Sequence, residues 1–219
     1  MKRHTILLLE ILLFALLATS SIFYGATQRI TPQPVVPQQE AFTPEPTAYI
    51  KSFDKENFLR IFDAELEFWL SIIPHEQLVY DVMDHNYGIP KPLIFSVVKN
   101  ESSFNERAIG RNSTSEDYGL FQLNSVSYSQ YTRNQLIDPS NNIALGLYHL
   151  YGELERFSWD IESAVKAYNA GPARVMTGTE PESTKQYWNK IRRDMIEYQM
   201  LYRRYMIAFK EANYGKSYF

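Results

Sequence analysis

Five prolines stand between Thr31 and Pro46, at positions 32, 34, 37, 44 and 46. Proline locks φ and removes a backbone donor, so this density forbids a helix and favours an extended spacer. The chain is thereby divided before any other feature is weighed. Residues 27–48 read as a Pro-rich linker, and a folded core must lie on one side of it. The 219 residues contain no cysteine, which excludes a disulfide-stapled fold, Cys-ligated zinc and thiol catalysis. A formal net charge of −3 argues against a protein that coats nucleic acid by bulk charge.

Residues 1–26, ahead of the spacer, read as a targeting segment. Lys2, Arg3 and His4 precede a run from Thr5 to Ala18 that is nearly all Leu, Ile, Phe and Ala. This is the basic start and apolar body of an export signal. Ala18-Thr19-Ser20 offers small residues for cleavage, whereas continuing through Ile22 and Phe23 gives enough length to span a bilayer. A cleaved signal and an uncleaved anchor both fit. Either way, the expected location is the periplasm, with inner-membrane tethering if the segment stays.

Residues 49–219 read as a mainly α domain. Phe58, Ile61, Phe62, Leu66 and Trp69 recur at helical steps, and Pro74 closes that helix. A second helix is expected over His75–Tyr87 with Gly88 as its cap, and a third from Pro90 and Pro92 through Val98. Gly110–Asn124 is rich in Asn, Ser, Thr and Gly and reads as turns or a small hairpin. Asp138-Pro139 starts another helix, Ser163–Tyr168 lies in a short one, and Ser183-x-x-Gln186 reads as the capping box of a long last helix. That helix carries Lys190, Arg192, Arg193, Arg203, Arg204 and Lys210 between aromatic residues. We read it as amphipathic, aromatics inward and charges solvated.

Glu101 stands out on chemistry. It follows Ile94, Val97 and Val98 at seven, four and three residues, so all four share one helix face. A carboxyl at the end of an apolar stripe is desolvated, which raises its pKa and lets it keep a proton near neutrality. The blander alternative is a helix-end Glu bonding nearby backbone. His4, His75, His85 and His149 share no metal-ligand spacing and there is no GxSxG motif. We therefore read the histidines as structural and expect no metal and no cofactor.

Three ordered blocks decide between the two readings of Glu101. They are Glu101-Ser102-Ser103-Phe104-Asn105, then Gly119-Leu120-Phe121-Gln122, then Ala167-Tyr168-Asn169-Ala170-Gly171. Over roughly residues 89–191 the chain resembles the catalytic domain of the soluble lytic transglycosylases, lysozyme-like family-23 glycoside hydrolases. It looks most like the small specialised members that accompany secretion, pilus or flagellar systems. The resemblance implies a lysozyme-like helical fold and a peptidoglycan glycan strand as substrate. It implies cleavage of the MurNAc–GlcNAc β-1,4 bond with closure of a 1,6-anhydro ring, and Glu101 as acid and then base. It also implies a groove lined by Gln122, Tyr168 and Asn169, with Asn112, Phe121 and Tyr118 as further substrate-binding candidates. Many members carry Ser nine residues after the Glu, where this chain has Gly110, so Asn112 or another group is expected to orient the acid. Asp117 is a possible second carboxylate: a nucleophile, a stabiliser of a cationic transition state, or a turn residue. The rival readings are a muramidase that uses Glu101 and Asp117, and a non-catalytic glycan-binding or assembly factor.

Overall fold

In a computed structural model of the chain, the described residues are 55–215. The targeting segment, the linker and the last four residues lie outside them. The described part is mainly helical, with one small antiparallel sheet: α1 (Lys55–Ile72), α2 (Glu76–Asp84), α3 (Lys91–Ser102), β1 (Ile109–Arg111), β2 (Glu116–Tyr118), β3 (Leu123–Asn124), α4 (Arg133–Ile137), α5 (Pro139–Arg156), α6 (Ile161–Ala170), α7 (Pro172–Met176) and α8 (Glu182–Tyr214).

The core gathers around α3. Leu93, Ile94, Phe95, Val97 and Val98 are all fully buried, so this helix is apolar around most of its circumference. Trp69 of α1 packs its ring on Phe95 (centroids 4.8 Å) and stacks on Tyr202 of α8 (5.5 Å). Lys91 at the start of α3 pairs with Glu65 of α1 at 3.1 Å. On the other side α8, 33 residues long, runs against α3. There the Asp194 carboxylate is 2% exposed, accepts from Asn100 Nδ2 at 2.9 Å and pairs with Lys99 at 3.3 Å. A buried charge that lost these partners would be strongly unfavourable, so Asp194 pins α8 to the turn of α3 that carries Glu101.

Several local expectations change. Gly88 does not cap α2, which ends at Asp84 with His85 as its cap. Gly88 (φ 74) follows Tyr87 (φ 52) in a turn that Ile89 N–H closes on the Asn86 carbonyl at 2.8 Å. The capping box at Ser183 is absent: α8 starts at Glu182 behind Pro181, with no side-chain cap bond. A capping box forms at the short α4 instead, between Thr132 and Gln135. Asp138 does cap α5, its Oδ1 accepting from Asn141 N–H at 3.0 Å.

The 110–124 stretch is a three-stranded sheet in the order β1-β2-β3. Gly110, Asp117 and Asn124 stand in one row across it; Ile109, Tyr118 and Leu123 stand in the next. Side chains alternate between faces, so these two rows point in opposite directions. The second row joins the core. The turn between β2 and β3 is fastened from behind by Asn142 of α5, which is fully buried. Its Oδ1 accepts from Phe121 N–H at 2.9 Å, and its Nδ2 donates to the carbonyls of Tyr118 (2.8 Å) and Leu136 (2.7 Å). Two glycines permit this. A Cβ on Gly119 (φ 73) would sit 2.5 Å from Asn142 Nδ2, and one on Gly146 would sit 2.1 Å from Phe121 Cγ.

Candidate active site

A cavity of about 640 Å³ opens where the C-terminal end of α3, the sheet and α6 meet. Glu101, Asn112, Asp117, Gln122, Tyr168 and Asn169 all line it. Residues spread over nearly seventy positions of sequence thus converge because the apolar half of each element is committed to the core.

Glu101 occupies the penultimate position of α3, and Ser103 (φ 52) and Phe104 (φ 63) then turn the chain away. Burial pushes its carboxyl up to about 7, opposed by a hydrogen bond from Tyr187 and reinforced by the charge of Asp117. The Tyr187 hydroxyl donates to Glu101 Oε1 at 2.5 Å. Tyr187 itself is driven well above the usual phenol range, by burial first and then by Glu101, so it remains a donor. A protonated carboxyl facing a polar cavity and backed by hydrocarbon is a general acid in wait.

Asn112 does not orient the acid. Its Nδ2 donates to Asp117 Oδ2 at 2.8 Å, and Asn124 Nδ2 donates to Asp117 Oδ1 at 2.7 Å. Both Asp117 oxygens are therefore held by side-chain amides, one from the β1–β2 connection and one from β3. Tyr187 takes the place that the sequence reading left to Asn112 or another group. Gly110 has its own use: Gln122 Oε1 lies 2.7 Å from where a Cβ on Gly110 would be. Gln122 (φ 48) donates through Nε2 to the carbonyls of Gly119 (2.9 Å) and Ala108 (3.3 Å). The glycine makes room for the glutamine, whose Oε1 remains as an acceptor toward the cavity.

Tyr168 is fixed by its hydroxyl, which donates to the Phe121 carbonyl at 2.8 Å. Asn169 accepts at Oδ1 from the buried Thr184 hydroxyl at 2.8 Å, leaving its amide N–H₂ for the cavity. Tyr128 and His149 also line the cavity, with Tyr128 Oη and His149 Nδ1 2.8 Å apart and the His149 ring edge-on to Tyr168 at 4.8 Å. Burial lowers the His149 pKa, with Arg156 adding to it.

Two expected substrate contacts do not reach the cavity. Phe121 is fully buried against Gly146 and contributes only its carbonyl, to Tyr168. Tyr118 is 5% exposed, in the row opposite to Asp117, and its hydroxyl donates to Glu116 at 2.5 Å. Adjacent strand residues cannot face the same side, so Asp117 and Tyr118 exclude each other from the groove. Conversely, Tyr187 and Thr184 hold groove residues and carry no motif in the sequence, while His149, read above as structural, lines the cavity beside Tyr128 and Tyr168. Thr184 and Tyr187 are three apart at the start of α8, hence on one helix face; that spacing was the available signal. Among the described residues no cluster of His, Asp and Glu has the grouping to hold a metal ion, and no helix is long and apolar enough to cross a membrane.

The family model for the transglycosylase SLT domain matches residues 80–191. The chain is 29% identical over 155 residues to Protein IpgF of Shigella flexneri, a match covering 65% of this chain and 90% of that protein. It is 28% identical over 143 residues to Protein IpgF of Shigella sonnei, covering 61% and 82%. Among solved structures, an inactive mutant of lytic transglycosylase Slt from Pseudomonas aeruginosa matches at 25% identity with a TM-score of 0.49. That match covers 59% of this chain and 24% of the Slt chain.

Proposed function

The chain belongs to the transglycosylase SLT domain family and is a peptidoglycan lytic transglycosylase; from that premise we propose that Glu101 is its sole essential acid/base. The observation that carries this reading is a carboxyl raised to about 7 by burial at the wall of a polar cavity. Protonated Glu101 gives its proton to the glycosidic oxygen as the C1–O bond of MurNAc breaks. The resulting carboxylate, steadied by the Tyr187 hydroxyl, takes the proton of the muramoyl C6 hydroxyl as that oxygen bonds to C1. The proton returns to Glu101, a 1,6-anhydro end forms and no water is consumed.

Asp117, with both oxygens already occupied, serves in this reading as a placed negative charge. It offsets positive charge building at C1 and keeps the proton on Glu101. Gln122 Oε1 and the Asn169 amide take the polar groups of the sugars, and Tyr168 offers a ring face. The fold is lysozyme-like in this reading, and residues 1–26 and 27–48 deliver and tether the domain in the periplasm. The resemblance to small specialised members supports service to a secretion, pilus or flagellar assembly. Fractionation of cells making the full chain tests the tether: recovery only in the soluble periplasm would overturn an uncleaved anchor.

The activity test compares the full-length chain with Glu101→Gln on purified peptidoglycan, the products read by mass spectrometry. Anhydro-muropeptides are expected, reduced by about 10³-fold or more in the variant. Products one water heavier, with free reducing ends, would make the enzyme a muramidase and put Asp117 in the mechanism as its second carboxylate.

A further inference from the structure

The cavity holds a donor that the chemistry above leaves unused. Tyr128 and His149 reach it from two different walls. Tyr128 follows the sheet, and its N–H donates to the carbonyl of Asn124, the residue whose amide holds Asp117. His149 comes from α5, beside the fully buried Leu150. The two side chains meet where Tyr128 Oη lies 2.8 Å from His149 Nδ1.

The protons of this pair follow from its surroundings. Burial lowers the His149 pKa and Arg156 adds to the effect, so the imidazole is neutral at pH 7 and carries a single N–H. Burial, with Tyr131 and Glu153 adding, pushes Tyr128 up to about 12, so its hydroxyl keeps its proton. Two arrangements satisfy the 2.8 Å contact. If Nδ1–H donates to the hydroxyl, the Tyr128 proton and the Nε2 lone pair both lack a partner among the described residues. If Tyr128 donates to Nδ1, only Nε2–H is left over. The second arrangement strands less polarity, and stranded polar groups are costly. Among the described residues, the buried side-chain atoms without a partner are the Oε2 atoms of Glu153 and Glu180. His149 Nε2 is therefore open to solvent, on a residue that lines the cavity.

The pair stands apart from the reacting carboxyl. Tyr168 is raised by burial first, then by Glu101 and by Tyr128, so it is within reach of both. His149 lies edge-on to Tyr168 but is shifted by neither Glu101 nor Asp117. With the MurNAc C1 at Glu101, the sugar on either side is GlcNAc, whose only carbonyl is that of its acetamido group. An amide carbonyl is a pure acceptor and matches a fixed N–H donor; its methyl suits the neighbouring aromatic rings. We propose that His149 selects N-acetylated strands, its Nε2–H donating to the acetamido carbonyl of the GlcNAc next to the reacting MurNAc while Tyr128 fixes the imidazole. This rests on peptidoglycan as substrate but not on the role of Glu101.

The test measures co-sedimentation of the full-length Glu101→Gln chain with two preparations of peptidoglycan sacculi. One is native; in the other the GlcNAc residues have been N-deacetylated and the MurNAc acetyls retained. The chain should bind native sacculi about tenfold more tightly. Adding His149→Phe, a ring without a donor, should bring that ratio near one. His149→Gln, whose amide nitrogen can stand where Nε2 stood, should restore it. The freed amines are common to every variant, so the change in ratio reports the contact itself. With Glu101 present, His149→Phe should raise KM on native strands and leave kcat nearly as it was. Equal binding of the starting chain to both preparations overturns the assignment. A ratio that survives His149→Phe also overturns it, because weaker binding to both preparations alike would mean the imidazole only supports the wall. A preference lost in His149→Phe from a wild-type chain that releases no anhydro products would uphold the assignment and overturn the proposed chemistry.

Discussion

The two walls of the cavity carry one carboxylate each and are built from opposite materials. On the helical wall, Glu101 ends a stripe of fully buried Ile94, Val97 and Val98 and receives the Tyr187 hydroxyl. On the sheet wall, Asp117 receives amide N–H groups from Asn112 and Asn124. The lesson concerns what surrounds a charge. Hydrocarbon cannot solvate a carboxylate, so Glu101 keeps its proton toward neutrality; the two amides at Asp117 instead hold both of its oxygens in place. Proximity of two carboxyls would suggest a symmetric pair, yet their surroundings divide the work.

The largest effect is expected from detaching the sheet wall from the helices. Gly146→Ala puts a methyl where Phe121 already sits, and we expect about 3 kcal/mol of destabilisation in urea unfolding; Gly152→Ala, on the same helix but meeting nothing within 4 Å, is the control and should instead stabilise by about 0.5–1 kcal/mol. The helical wall can be tested without breaking it. Glu101 titrates at about 7 folded against an ordinary 4.5, so the folded state holds a proton that the unfolded chain has released. Its contribution is complete below the unfolded value and is lost as pH rises through about 7. Glu101→Gln does not titrate, so relative to the parent it should gain on the order of 3 kcal/mol between pH 4.5 and 8. Unfolding curves at the two pH values check this, and a constant difference would mean the carboxyl is not desolvated.

Smaller changes sharpen the contrast. Tyr187→Phe removes the bond that favours the carboxylate, so the alkaline limb of kcat should move above its wild-type position while kcat falls by about tenfold to a hundredfold. KM should change little, which separates this from a binding defect. Asp117→Asn removes the charge that helps hold the proton on Glu101, so the same limb should move the other way, to lower pH. That shift should be the smallest effect, and an unmoved limb would sink the electrostatic role of Asp117.

The helices were legible because their apolar positions recur at fixed steps. Glu101 was legible for the same reason, and the spacing of Ile94, Val97, Val98 and Glu101 carried both its place and its chemistry. The sheet was only half legible. Its polar content announced turns, but register is a tertiary fact, and it is register that sends Tyr118 to the core and Asp117 to the groove. Phe121 misled for a related reason: within its block it sits beside Gln122, and nothing local tells that Gly146, twenty-five residues on, has left a hole for its ring. Tyr187 was hidden because its partner lies 86 positions away. The capping box at Ser183 is absent because α8 begins one residue earlier, at Glu182 with Pro181 in the cap position, so Ser183 lies inside the first turn.

The long α8 has a further meaning when considered as a mechanical part. Near its start it steadies Glu101 through Tyr187; two turns later it grips Asn100 and Lys99 through Asp194; two turns beyond that, Tyr202 lies flat on Trp69. One continuous strut braces the reacting carboxyl against the first helix of the described residues, α1. The stretch matched by the family model stops at residue 191, between the first brace and the second. A fragment trimmed to that motif would retain every groove-lining side chain and still leave the acid's support hanging from a cut beam.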